Sequence, residues 1–167
     1  MLRSADPAVI VAAFLVCGEE GIDLIVAHCG LEERLRTMIA DWLQADTMLE
    51  SAAGGGFRAS ALRQPAEDAK GSVILMTSGT TGLPKLAEHE PAALASRILA
   101  SAAVEANRGG RWLLTYQATS FAGLQVLLTA TLTAGTIVTA TGPTPAEFVQ
   151  AAAHHGVTHI SGTPTFW

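Results

Sequence analysis

A hydroxyl- and glycine-rich segment from Thr77 to Lys85 carries the side chains in this sequence that are best suited to bind an anion. Its letters are TSGTTGLPK, with four hydroxyl side chains, two glycines and one lysine. Glycines let backbone N–H groups approach a ligand closely, and hydroxyls donate further hydrogen bonds to phosphate oxygens. The lysine adds a charge suited to contacting phosphate. Because the segment follows the apolar run Val73–Met76, it predicts a phosphate-binding loop at the end of a strand.

The loop differs from the common mononucleotide-binding P-loop. That motif places its lysine directly after the second glycine, whereas Leu83 and Pro84 separate Gly82 from Lys85 here. A surface loop without a ligand is the alternative interpretation, but the residue type at nearly every position favours phosphate binding. The predicted phosphate contacts are Thr77, Ser78, Gly79, Thr80, Thr81, Gly82 and Lys85.

Strand-like and helix-like segments alternate along most of the chain, and they must position this loop. Helices are predicted from Pro7 to about Gly18 and over 31–43, 91–107, 121–134 and 145–155, with a further helix opening at Pro164. Strands are predicted over 22–27, 47–49, 73–76, 111–115, 136–139 and 157–160. This order predicts an α/β fold, a layered and largely parallel sheet flanked by helices. Ligands of such sheets lie beyond the carboxyl ends of strands.

Composition shifts divide the chain into three predicted parts. Residues 1–51 form an N-terminal α/β segment, 52–71 a glycine-rich connecting stretch, and 72–167 an α/β segment that carries the loop. The connecting stretch is either a linker or a surface excursion.

Bulk composition excludes several classes of protein. Of the 167 residues, 49% are apolar and 15% are charged, which is typical of a folded domain. The net charge of −5 and the lack of a basic run argue against nucleic-acid binding. Two cysteines are too few for a disulfide framework, and no apolar run is long enough to span a membrane. These features favour a cytoplasmic protein.

The apolar residues of the predicted helix 31–43 recur at helical spacing, so one face should be buried. The residues predicted to face inward are Leu31, Leu35, Met38, Ile39, Trp42 and Leu43, and those predicted to face outward are Glu32, Glu33, Arg34 and Arg36. Trp42 and Trp112 are predicted to belong to a core, and Trp167 to the core of a domain of which this chain holds only part.

The five histidines have competing interpretations. His154 and His155 end a predicted helix, where histidine complements the helix dipole. Together with His159 they suggest a metal site, but no further ligand joins them, which favours the surface interpretation. His28 ends a strand and His89 follows the loop; each either lines a site or has a structural or solvated role.

At Thr77–Lys85 the sequence resembles the acyl-adenylate-forming superfamily, whose signature phosphate loop is nearly identical. That family includes acyl-CoA synthetases, peptide-synthetase adenylation domains and luciferase. Further segments resemble later blocks of the family: 111–115, 121–124, 135–138 and 157–165. The resemblance covers residues 70–167 well and residues 6–50 loosely.

Two positions depart from the family pattern. Family members often carry a histidine near the acyl pocket where this chain has Ser120, and often a glycine where it has Leu86. The resemblance implies that Ser120 and Gly123 line one wall of the substrate pocket.

The resemblance implies an ATP-dependent ligase that activates a carboxylic acid as an acyl-adenylate, releases pyrophosphate and then transfers the acyl group to a thiol such as CoA. ATP, Mg²⁺ and CoA are the implied cofactors, and Lys85 is the implied catalytic charge on the phosphates. The family's enzymes are several times longer, so the chain is expected to be an incomplete piece of the large N-terminal domain and inactive alone. The alternative is a non-catalytic or partner-dependent subunit that supplies the loop, with self-association or pairing through an exposed sheet edge.

Overall fold

The computed structural model describes residues 1–51, 57–64, 69–77, 83–164 and 166. The chain divides into two compact units, Met1–Pro91 and Ala92–Trp167. The predicted division at 51/52 and 71/72 stays a prediction. Trp167 and the glycines Gly54–Gly56 lie outside the described residues.

A six-stranded sheet forms the first unit, in the order β4-β3-β1-β2-β5-β6. The strands are β1 (Leu2–Arg3), β2 (Leu24–Ala27), β3 (Thr47–Ser51), β4 (Phe57–Ala61), β5 (Val73–Thr77) and β6 (Lys85–His89). The four central strands run parallel, and β4 and β6 pair antiparallel at the two edges. All four central strands therefore end at the same edge of the sheet.

Two helices complete the first unit, α1 (Pro7–Glu20) and α2 (Glu33–Trp42). The β1–α1–β2 and β2–α2–β3 crossovers move in opposite directions along the sheet, so their common right-handedness puts the helices on opposite faces. One core cluster joins Ile39 and Ala40 of α2 to strand residues such as Ile25 and Met48. The alternate strand residues Leu2, Leu24, Val26, Val73 and Leu75 are buried on the other face.

Sequence-local signals define both ends of α1. The Asp6 carboxylate accepts a hydrogen bond from Ala8 N at 2.9 Å, and Pro7 occupies the first turn, as predicted. The predicted end at Gly18 is wrong. The helix continues to Glu20 because Gly21, not Gly18, adopts the left-handed conformation with φ 68° that closes a helix.

The predicted faces of α2 are only partly correct. Ile39 is buried, and Leu31 and Leu43 pack against the core cluster. Trp42, however, is 72% exposed, so its assignment to a core is wrong. Arg36 was expected to face outward but is half-buried, because it forms an ion pair with Glu50 of β3.

A three-stranded parallel sheet forms the second unit, in the order β8-β7-β9. Its strands are β7 (Arg111–Leu113), β8 (Thr136–Val138) and β9 (His159–Ile160), and its helices are α3 (Pro91–Leu99), α4 (Phe121–Leu132) and α5 (Pro145–His155). The predicted helix 91–107 is too long, since α3 ends at Leu99 and turns follow it. Pro164 lies in a turn.

The predicted α/β class is confirmed, with a mainly parallel sheet flanked by helices. Three strands were not predicted: β1, β4 within the expected connecting stretch, and β6 directly after the loop. β1 has two residues and β4 is exposed throughout, so neither carries a readable hydrophobic pattern. Among the described residues, no helix has the length and apolarity needed to cross a membrane.

Replacing Gly123 with alanine should destabilise the second unit by about 1–3 kcal/mol. The new Cβ would collide with the Gln117 carbonyl oxygen and lie 3.0 Å from Ala118 Cα, and both of these are backbone atoms. Denaturant unfolding measures the change. Gly18→Ala is the matched control, because its Cβ would meet Pro91 at an ordinary 3.6 Å, so helix propensity alone should leave stability equal or slightly higher. Equal effects of the two substitutions would contradict the packing argument.

Candidate functional site

The predicted phosphate loop begins and ends on paired strands. Thr77 is the last residue of β5, Lys85 is the first of β6, and the two are ladder partners. Both side chains are exposed at the edge where the parallel strands end, which is where the sequence placed the loop. The predicted contacts Ser78, Gly79, Thr80, Thr81 and Gly82 lie outside the described residues.

A row of polar residues crosses five strands at this carboxyl edge, and we name it the edge row. The ladders pair Leu2 with both Leu49 and Val26, and Val26 with Leu75. The strands β1 and β2 end at Arg3 and Ala27. Extended two residues beyond the Leu2 and Val26 pairs, the same register brings polar residues side by side on one face of the sheet. The edge row consists of Ser51, Ser4, His28, Thr77 and, through its pairing with Thr77, Lys85.

Hydrogen bonds within the described residues support this register at Ser4. Ser51 Oγ donates to Ser4 Oγ at 2.8 Å, and Asp6 N donates to the same oxygen at 3.1 Å. Ser4 is only 1% exposed. Its hydroxyl therefore ties the ends of β1 and β3 to the start of α1.

The ring of His28 is held by the turn that follows β2. Gly30 N donates to His28 Nδ1 at 2.9 Å, and Leu31 N donates to the His28 carbonyl oxygen at 3.0 Å. A Cβ on Gly30 would lie 3.0 Å from the ring carbon Cε1, so glycine leaves room for the ring. Because Nδ1 accepts, the neutral ring carries its proton on Nε2.

Ion pairs brace the other face of the same edge. Glu50 Oε1 accepts from Arg3 Nη1 and from Arg36 Nη1, each at 3.0 Å. Arg3 also donates to the Cys29 carbonyl oxygen from Nη2 at 3.2 Å. Glu50 thereby connects the ends of β1 and β3 to α2, and Arg3 connects them to the turn after β2. These ion pairs are not predictable from the sequence, because their partners are 14 to 47 residues apart along the chain.

The two cysteines lack the features of a reactive thiol. Burial raises the pKa of Cys29, an effect that the nearby Arg3 charge partly offsets. Burial also raises the pKa of Cys17. Raised pKa values keep both side chains as neutral thiols near neutral pH, so neither is an activated nucleophile.

Ser120 and Gly123, the predicted wall of a substrate pocket, lie at the start of α4. Ser120 Oγ accepts from Gly123 N at 3.0 Å and donates to the Gln117 carbonyl oxygen at 2.7 Å. Gly123 is buried against the Gln117–Ala118 backbone. Both residues therefore have a defined structural task at the N-terminus of this helix, and their place in a substrate pocket stays a prediction.

Two adjoining clefts of about 270 Å³ each lie beside β8 and α5 in the second unit. Their shared lining residues are Thr139 and His155, and Arg111 borders one of them. Arg111 Nη1 donates to the His155 carbonyl oxygen at 2.7 Å, which closes the last turn of α5. Arg111 and the backbone of His155 are therefore engaged in helix termination, while the predicted interaction of the His154 and His155 side chains with the helix dipole stays a prediction.

The third histidine of the second unit is separate from these clefts. His159 of β9 stacks on Trp112 of β7 with ring centroids 4.3 Å apart, so Trp112 is half-buried against a histidine. Throughout the described part of the chain, no three His, Cys, Asp or Glu side chains gather closely enough to hold a metal ion.

Comparison with known proteins decides the family. A family model described as AMP-binding enzyme matches residues 1–167, the whole chain. The chain belongs to the AMP-binding enzyme family. The resemblance inferred from Thr77–Lys85 is thereby confirmed. A search of curated proteins found no match.

Several solved structures share this fold. O-succinylbenzoate coenzyme A synthetase from Bacillus subtilis, in complex with ATP and magnesium, is 17% identical with a TM-score of 0.68, over 99% of this chain and 50% of that one. The N-terminal domain of FACL13 from Mycobacterium tuberculosis is 16% identical with a TM-score of 0.75, over 99% of this chain and 49% of that one. A luciferase-like enzyme from the mealworm Zophobas morio is 16% identical with a TM-score of 0.65, over 99% of this chain and 47% of that one. The chain spans half the length, or less, of these structures.

Glu50→Gln should destabilise the first unit by about 1–2 kcal/mol, because two partly buried arginines lose their shared carboxylate. Chemical denaturation monitored by circular dichroism measures the loss. Glu105→Gln is the control: it breaks the Glu105–Arg108 pair, whose side chains are 76% and 58% exposed, and should leave the unfolding midpoint unchanged. Equal midpoints for Glu50→Gln and the unaltered protein would show that the brace contributes no stability.

Proposed function

We propose that this chain supplies the triphosphate-binding part of an ATP-dependent carboxylate ligase that forms an acyl-adenylate. The observation that carries the proposal is the placement of Thr77 and Lys85, ladder partners at the carboxyl edge of a parallel sheet, in a chain of the AMP-binding family. Ligands of open α/β sheets lie at this edge. The chain covers half or less of the similar solved structures, and the activity of the whole enzyme is proposed for a longer protein.

The chemistry of the edge fits a polyphosphate. Thr77 and Lys85 are exposed there, and Lys85 is one of the chain's two lysines. With a net charge of −5, the protein cannot attract ATP by its overall field, so local donors must do so. Lysine charge, hydroxyls and backbone N–H groups are donors of this kind.

The proposed reaction has two steps. A carboxylate oxygen of the acid attacks the α-phosphorus of ATP, a new oxygen–phosphorus bond forms, and the bond to the bridging oxygen breaks as pyrophosphate leaves. A thiol such as CoA then takes the acyl group and AMP leaves. Negative charge grows on the leaving pyrophosphate in the first step, and the role of Lys85 is to stabilise that charge.

Mg²⁺ fits this edge mainly through the nucleotide. The nearby carboxylates are already engaged, Asp6 with Ala8 N and Glu50 with two arginines. Phosphate oxygens and hydroxyl groups such as that of Thr77 are the ligands left for the ion, in line with the preference of Mg²⁺ for phosphate and water oxygens. When bound, it would neutralise part of the phosphate charge.

The acyl pocket and the acceptor are proposed on the resemblance alone. Ser120 and Gly123 would form one wall of the pocket, with Ser120 presenting a hydroxyl where relatives often carry an imidazole. A carboxylic acid is the proposed small-molecule substrate.

A partner-dependent role is the second candidate. Apart from β4 and β6, the described strands at sheet edges include β8 and β9 of the second unit. Such edges offer unpaired backbone groups to another chain. In this version the chain supplies the phosphate loop to a second polypeptide, and analytical ultracentrifugation tests it. A strictly monomeric chain with no affinity for a companion would argue against it.

Lys85→Ala and Thr80→Ala should each weaken binding of ATP with Mg²⁺. Loss of a charge-assisted contact at Lys85 should cost about 1.5–3 kcal/mol, or roughly ten- to a hundredfold in affinity, and loss of the Thr80 hydroxyl should cost less. Isothermal titration calorimetry measures both.

Lys70→Ala is the matched control, because Lys70 is exposed and, among the described residues, its hydrogen bond runs from the backbone N–H to Asp23. Its affinity for ATP should equal that of the unaltered protein. Unchanged affinity in both loop variants would end the proposal. Pyrophosphate exchange dependent on ATP and acid separately tests whether the chain is inactive alone, since robust exchange would show that it needs no further domain.

A further inference from the structure

The strand register places a histidine next to the proposed phosphate site. Val26 of β2 pairs with Leu75 of β5, and His28 directly follows the last residue of β2. Extended two residues beyond that pair, the register brings His28 to the level of Thr77. The same register puts Ser4 on its other side. His28 is therefore the middle member of the edge row, with hydroxyl residues on both flanks and Lys85 one strand beyond Thr77.

One ring nitrogen of His28 accepts a hydrogen bond, and the other has no partner among the residues that the structure describes. Nδ1 accepts from Gly30 N at 2.9 Å, which fixes the proton of the neutral ring on Nε2. No hydrogen-bond partner for Nε2 is found within residues 1–51, 57–64, 69–77 and 83–164. His28 is half-buried as a residue, and the bond from Gly30 N, which is exposed to solvent, holds its ring against the turn.

The surroundings of the ring match an anion better than a cation. The carboxylates closest in the fold are occupied, since Asp6 caps α1 and Glu50 lies on the opposite face between Arg3 and Arg36. Arg3 also holds the turn that carries His28, through the Cys29 carbonyl oxygen. Two contacts therefore hold the turn: Arg3 donates to the Cys29 carbonyl oxygen, and Gly30 N donates to the His28 ring.

We propose that His28 is a phosphate-binding residue of the nucleotide site, donating a hydrogen bond from Nε2–H to a non-bridging phosphate oxygen of the polyphosphate. This inference rests on the proposed function, because it needs the nucleotide phosphates to lie at the edge row. It assigns the centre of that row a task that the loop motif does not include. Ser4 and Ser51 keep the neighbouring strand ends in place, and His28 contacts the ligand.

Two near-isosteric substitutions separate ligand binding from a purely structural role. In His28→Asn, the amide oxygen takes the place of Nδ1 and keeps the bond from Gly30 N, but the Nε2 donor is lost. In His28→Gln, the amide nitrogen takes the place of Nε2 and keeps a donor there, but the local bond to Gly30 N is lost. A structural histidine and a ligand-binding histidine therefore predict opposite orders for the two variants.

The test is calorimetric titration of the full chain with magnesium pyrophosphate and with ATP and Mg²⁺, with thermal unfolding followed by circular dichroism. His28→Asn should lower the binding affinity for both ligands about fivefold, the effect of losing one neutral hydrogen bond. Its unfolding temperature should equal that of the unaltered protein. His28→Gln should stay within about twofold of the unaltered protein in affinity. Lys85→Ala is measured beside them.

The other outcomes are distinct. If Lys85→Ala weakens binding while His28→Asn does not, the inference is overturned and the proposed function stands. If His28→Gln loses affinity or stability while His28→Asn behaves as the unaltered protein, the role of His28 is to hold the turn, which also overturns it. If the unaltered protein binds neither pyrophosphate nor ATP, the proposed function fails and the role of His28 falls with it.

Discussion

The parallel register of β1, β2, β3 and β5 is the constraint on which the rest of the first unit depends. Because these strands run in one direction, their carboxyl ends meet at one edge, and every residue that follows a strand is delivered there. Backbone hydrogen bonds fix the register, and the alternation of side chains then decides which polar residues share a face. One residue of slip in β2 would exchange His28 for Ala27 in the edge row.

The two faces of that edge perform different tasks. On the face of α2, Glu50 joins Arg3 and Arg36, so charge is neutralised within the protein and used to hold loops together. On the face of α1, the edge row contains hydroxyls, an imidazole and Lys85, none of which is acidic. This separation of the ion pairs from the edge row fits the proposed binding of a polyanion, because the long-range field of an acidic protein opposes such a ligand.

The second unit also has a parallel sheet, and side-chain caps and close backbone packing define where its helices begin. Its helices begin with side-chain caps, Ser120 for α4 and Thr144 for α5, and the Thr144–Glu147 capping box lowers the pKa of the Glu147 carboxyl through the Thr144 hydroxyl. Gly123 is needed because the backbone of the preceding turn occupies the space of a side chain. These are local devices that fix where each helix starts, and they make Ser120 a structural residue whatever its relation to a substrate.

The sequence by itself determined the family, the α/β class and the helix starts at Asp6 and Thr144, because each is written in neighbouring residues. The phosphate chemistry of Thr77–Lys85 stays a prediction. The sequence did not reveal β1, whose two residues have no period, or the exposure of Trp42, which depends on what α2 packs against. Nor could it align Ser51, Ser4, His28 and Thr77, which come from four separate strand ends. Only the tertiary structure decided that row, since which strands are neighbours is set by packing and backbone pairing between distant segments.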